Sequence, residues 1–147
     1  MKKKLLSLLM VLALVLGNVA VVSAAEAADA PTVKDEDLTA VTGAEAIAAI
    51  GAENTIFLDL RAAEDFAAGH IKGSVSAPVC QPASENYAVP VTNQEAFIAQ
   101  MNELKVAENN ATLYLSCYAG TFCVNYAATW LTELCGVDEA QLVRVND

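Results

Sequence analysis

The chain has 147 residues, 55% of them hydrophobic, a formal net charge of −10 and four cysteines. This length suits one domain, and so apolar a composition excludes a disordered chain. The acidic balance argues against nucleic acid or an anionic membrane as a partner.

The N-terminus departs from the average. Lys2, Lys3 and Lys4 precede an almost unbroken apolar run from Leu5 to Leu16, and Val22-Ser23-Ala24 fits the small-x-small cleavage rule. Residues 1–24 therefore read as a secretory signal peptide, and the protein as exported, periplasmic or extracellular, with no membrane contact after cleavage. Cleavage there removes three of the eight basic residues and none of the 18 acidic ones, so the mature chain is more acidic still. Cys80, Cys117, Cys123 and Cys135 all remain, an even count that permits two disulfides in an oxidising compartment. One histidine and the wide cysteine spacings speak against a zinc site.

Residues 25–37 are Ala- and acid-rich and read as a flexible leader, with the domain occupying 38–147. Leu38 to Val41 reads as a short edge strand. Thr42 and Glu45 have capping-box spacing ahead of a helix over Ala44 to Ile50, stopped by Gly51. Thr55 to Leu58 is a continuous β-prone run, the signature of a strand buried on both faces. A short helix over Ala62 to Ala68 ends at Gly69, and Ser74 to Ala77 forms a small strand. Cys80 to Pro90, flanked and broken by prolines, reads as loop. Thr92 and Glu95 repeat the capping spacing before a helix over Glu95 to Leu104. Thr112 to Leu115 is a second buried strand. Phe122 to Leu134 is a helix with Val124, Ala127, Ala128, Leu131 and Leu134 on one apolar stripe, stopped by Gly136; Leu142 to Val145 is the last strand. Strands alternating with helices predict an α/β fold on a largely parallel sheet with right-handed crossovers.

The most informative stretch is Ser116-Cys117-Tyr118-Ala119-Gly120-Thr121-Phe122-Cys123, between the second buried strand and its helix. In open parallel sheets, ligands bind beyond the C-terminal strand ends. A cysteine there meets the N–H groups of its own loop and the positive end of the next helix, which favour thiolate and cradle an anion. That setting suits a nucleophilic cysteine or a persulfide; an inert cysteine at a strand end is the plain alternative.

Two segments bear a family resemblance. Ile56-Phe57-Leu58-Asp59-Leu60-Arg61, continuing through Glu64-Asp65-Phe66 to Gly69-His70-Ile71-Lys72-Gly73, resembles the first signature of the rhodanese-like family. Leu113-Tyr114-Leu115-Ser116-Cys117-Tyr118-Ala119-Gly120 resembles its active-site loop. The resemblance spans about Leu38 to Val145. It implies a three-layer α/β sandwich around a mostly parallel five-stranded sheet; of the family's usual closing C-terminal helix, either the domain lacks it or the sequence is incomplete at its C-terminal end. It implies a sulfurtransferase in which Cys117, opening a six-residue loop, takes a sulfane sulfur from thiosulfate or a persulfide and passes it to a thiol. The backbone N–H groups of Tyr118, Ala119, Gly120, Thr121, Phe122 and Cys123 would hold the persulfide. Asp59, Arg61 and His70 would be structural. The implied partners are a small sulfur donor or a protein persulfide or thiol, with no cofactor and a monomeric state.

The loop departs from the family pattern in lacking basic residues: Tyr118 and Phe122 stand at positions commonly basic, and no Lys or Arg lies between Lys105 and Arg144. A dianionic donor would then rely on backbone N–H groups and the helix dipole, and an uncharged or protein-bound persulfide fits an aromatic-rimmed loop better. Position 123, where phosphatase chemistry needs arginine, is Cys123. Cys123 and Cys80 are candidate resolving cysteines for Cys117. Cys123 and Cys135 lie twelve residues apart on one helix, about 18 Å, and cannot bridge. Two further readings stand beside sulfur transfer: a non-catalytic binding module, and a thiol–disulfide redox protein using Cys117 with Cys123 or Cys80.

Overall fold

The computed structural model describes residues 30–79 and 94–146. The segments read as a signal peptide, as the start of a leader, as a proline-broken loop with Cys80 and as the Thr92 cap lie outside the described residues. Five strands, β1 (Thr39–Thr42), β2 (Thr55–Asp59), β3 (Val75–Ser76), β4 (Thr112–Ser116) and β5 (Leu142–Asn146), form one sheet in the order β1-β5-β4-β2-β3. Every described pairing is parallel. The helices are α1 (Gly43–Ala48), α2 (Ala63–Ala68), α3 (Gln94–Glu103) and α4 (Phe122–Glu133).

The side-chain period of two divides the sheet. Leu58, Leu113, Leu115 and Leu142 face α3 and α4, joining Phe97, Met101, Val124, Ala127 and Leu131 in the larger core. Phe57, Tyr114 and Val145 face α1, where only Ala46 completes the buried cluster. Phe57 and Tyr114 stack across neighbouring strands with centroids 4.5 Å apart. The three-layer α/β architecture that the resemblance implies is present, with one thick layer and one thin one.

Local chemistry explains the ends of α1. Thr42 Oγ1 accepts from the Glu45 N–H, and the Glu45 carboxylate accepts from the Thr42 N–H at 2.8 Å, so the expected capping box is made. These bonds hold the Glu45 carboxyl below its ordinary value.

Two expectations change. α4 is buried nearly all round, with Tyr126 and Trp130 inside and Leu134 half exposed rather than on the core stripe. Phe97 of α3 packs edge-on to Trp130, which draws that flank inward. The residues just before β1 are also docked. Thr32 and Val33 donate their N–H groups to Thr129 Oγ1, each at 3.1 Å, and the Asp35 N–H donates to Asn125 Oδ1. Arg144 of β5 forms an ion pair with Asp35. The second half of the segment read as a leader therefore closes over α4.

Candidate active site

The pairing of β2 with β4 places Asp59 opposite Ser116 at the C-terminal edge of the sheet. The Leu60 N–H donates to the Ser116 carbonyl at 2.8 Å, extending that pairing one residue. Cys117 follows directly. It is half-buried and carries a free thiol.

The chain then turns sharply into α4. Gly120 sits at φ +65°, and a Cβ there would lie 2.7 Å from the Val145 carbonyl oxygen, so the loop closes against β5 only with glycine at this position. Among the described residues, the N–H groups of Ala119, Gly120 and Thr121 donate no hydrogen bond. Thr121 caps α4 without a side-chain bond, and the first turn holds no acidic residue. The positive end of α4 is thus left for an anion. These three donors lie within the stretch from Tyr118 to Cys123 expected to form a cradle.

The Asp-x-Arg step builds the neighbouring wall. Asp59 is 3% exposed. Its carboxylate accepts from Arg61 Nε at 2.9 Å, from Arg61 Nη2 at 2.6 Å and from the Arg61 backbone N–H at 3.1 Å. Arg61 Nη2 also donates to the Gly69 carbonyl at 2.7 Å, tying the end of α2 to the end of β2. The contact with Asp59 raises the Arg61 pKa. His70 stacks on Phe66 with centroids 3.8 Å apart, and its Nδ1 lies 2.9 Å from the Phe66 carbonyl oxygen. A carbonyl only accepts, so Nδ1 carries the proton of that bond and Nε2 is the remaining ring nitrogen.

These elements form an open groove of about 680 Å³ lined by Cys117 and Ser116. Arg61, His70 and Lys72 line it, together with Ile47, Ile50 and Ile71. The absence of basic residues from the cysteine loop therefore does not make the site uncharged. Its cations come from the segments flanking α2, which the sheet brings alongside. Lys72 and the isoleucine lip escaped sequence reasoning. The available signal was the position of Lys72, two residues after His70 in the Gly-His-Ile-Lys-Gly run.

The aromatic rim differs from expectation too. Tyr118 contributes to the groove wall, but its hydroxyl donates to Asp65 and accepts from the Ala62 N–H at 3.3 Å. Burial and the Asp65 bond push its pKa up to about 12. Phe122 lies against Tyr126, with centroids 5.1 Å apart. Cys123 is buried and disulfide-bonded, so it offers no free thiol to resolve Cys117 in this state. Cys135 is a free thiol whose pKa is raised by burial. Cys80, the other candidate resolving cysteine, lies outside the described residues.

A family model described as a rhodanese-like domain matches residues 42–145. No protein of curated function matches the chain. Three solved structures of EanB variants in complex with hercynine match with a TM-score of 0.51 at 19% identity, covering 75% of this chain and 25% of theirs. The chain spans about a quarter of the length of those proteins, and at this identity the likeness shows a shared fold.

Proposed function

The chain belongs to the rhodanese-like domain family, and from that premise we propose that it is a sulfurtransferase carrying a sulfane sulfur on Cys117. The Cys117 thiolate attacks the outer sulfur of a persulfide donor. The donor S–S bond breaks and its inner sulfur leaves as a thiolate with the electron pair. An acceptor thiolate then attacks the outer sulfur on Cys117, returning the Cys117 thiolate and releasing a new persulfide. The protein undergoes no net oxidation.

The observation that carries this reading is the position of Cys117. It is a free thiol lining the groove, just past the C-terminal end of β4, and the N–H groups of Ala119, Gly120 and Thr121 after it have no other acceptor among the described residues. Such donors stabilise the anionic persulfide without needing to reorganise. No observation favours a Cys117–Cys123 dithiol pair, since the first is free and the second is disulfide-bonded.

The test is intact-mass analysis with thiol trapping, before and after a sulfane-sulfur donor. One added sulfur mapping to Cys117, lost in Cys117→Ser, is the expected result. A Cys117→Ser protein that still transfers sulfur would overturn the assignment.

The proposal extends to location. The Lys-rich, apolar start of the chain and the disulfide at Cys123 both suit export to an oxidising compartment. An N-terminus after Ala24 in the protein recovered outside the cytoplasm is expected; an intact Met1 terminus on that protein would exclude cleavage.

A further inference from the structure

We propose that Lys72 is the specificity-determining residue of the Cys117 groove, selecting a small organic thiol or persulfide that carries a carboxylate on a short apolar body. The proposal rests on the sulfurtransferase reading and adds the substrate class.

Charge within the groove points to an anion. Asp59 and Arg61 neutralise each other through their bidentate contact. Lys72 lines the same groove and has neither hydrogen bond nor ion pair among the described residues. The groove lining therefore holds one cation beyond the Asp59–Arg61 pair, with Asp65 acting on Arg61 from beside Tyr118, on a chain of net charge −10 whose long-range field repels anions. Arg61 Nε and Nη2 are committed to Asp59 and Gly69, while Nη1 has no partner among the described residues. A carboxylate held by Lys72 has this second donor on the same wall.

The apolar part of the ligand follows from the lip. Ile47 is 58% exposed and Ile50 37%, and both line the groove with Ile71. Exposed aliphatic side chains beside an unpaired cation match a ligand with alkyl carbons next to an anionic group. The groove also has more room than a bare inorganic donor fills.

The test loads Cys117 with inorganic polysulfide, confirms the added sulfur by mass, and follows its discharge to mercaptopropionate, mercaptoethanol and cysteamine, each rate divided by that thiolate's rate with a free low-molecular-weight persulfide so that intrinsic nucleophilicity cancels. These acceptors are of similar size and carry negative, neutral and positive ends. The expected wild-type order is mercaptopropionate, then mercaptoethanol, then cysteamine. Each step should be roughly three- to tenfold, the scale of a part-exposed charge-assisted contact. Lys72→Gln should level the series, Lys72→Glu should invert it, and Lys72→Arg should retain it. Added salt should compress the wild-type series. Lys72 is exposed, so these variants are expected to fold, which circular dichroism verifies. Failure of wild-type Cys117 to load sulfur overturns the sulfurtransferase reading itself. Normal loading with no carboxylate preference, or with a preference surviving in Lys72→Gln, overturns only the assignment of Lys72.

Discussion

Glycine at position 120 and the hydroxyl at position 118 shape the loop from opposite sides. Gly120 combines a positive φ with a close approach to the Val145 carbonyl, so Gly120→Ala meets backbone strain and a collision together. The expected cost is about 1–3 kcal/mol, read by denaturant unfolding. Sulfur loading at Cys117 should fall with it, because the N–H groups on either side of the glycine move. Tyr118 holds the loop to α2 through Asp65 and the Ala62 N–H. Its pKa is raised to about 12, above the ordinary tyrosine value near 10. A raised pKa means the folded state holds the proton more tightly. The contribution is complete below pH about 10 and is lost as pH climbs through about 12. An ultraviolet titration of the folded protein should show a late tyrosine step that disappears in Tyr118→Phe. Titration of every tyrosine near its ordinary value would contradict this contact.

At the scale of elements, two short helices depend on their ends. α1 and α2 have six residues each and no length from which to draw stability of their own. α1 relies on the Thr42–Glu45 box, and Thr42→Ala should cost about 1 kcal/mol. Because the Glu45 carboxyl is held below its ordinary value, the box is intact above the usual glutamate range. It is lost as pH falls through the lowered value, so the acid limb of unfolding should shift when Glu45 becomes Gln. α2 relies on Arg61, which joins the buried Asp59 carboxylate to the Gly69 carbonyl. Arg61→Ala strands that carboxylate, with an expected loss of about 2–4 kcal/mol, discounted because Arg61 is partly exposed. The same change should disorganise the groove wall, since His70 and Lys72 follow directly from Gly69.

Across the whole molecule, the two faces of the sheet are unequal. The α3–α4 face holds most of the core, and the segment from Thr32 to Asp35 closes over α4 through Thr129, Asn125 and Arg144. Thr129→Val removes the acceptor of two N–H groups while keeping shape, and should cost about 1–3 kcal/mol in unfolding. If it is silent, the segment does not contribute to stability. The thinner face holds Ala46, Phe57 and Val145, and Ile47 of its helix α1 and Ile50 in the turn after it stand at the groove lip. The thinly covered side of the fold and the rim of the site are thus one region.

Much of this architecture was legible in the chain itself. Continuous β-prone runs marked β2 and β4, capping spacing marked α1, and the strand–Cys–Gly–helix order put Cys117 at a strand end. These are local patterns whose period and turn chemistry belong to a few neighbouring residues. The signature from Asp59 to Gly73 also indicated the family without the fold in view. Three features depended on tertiary structure. Lys72 reaches the Cys117 groove only because parallel pairing of β2 with β4 sets distant segments side by side. Leu134 leaves the core because α3 and the docked N-terminal segment bury the other flanks of α4. Cys117 is free and Cys123 bonded, and which thiols pair depends on distances in space that spacing along the chain does not contain.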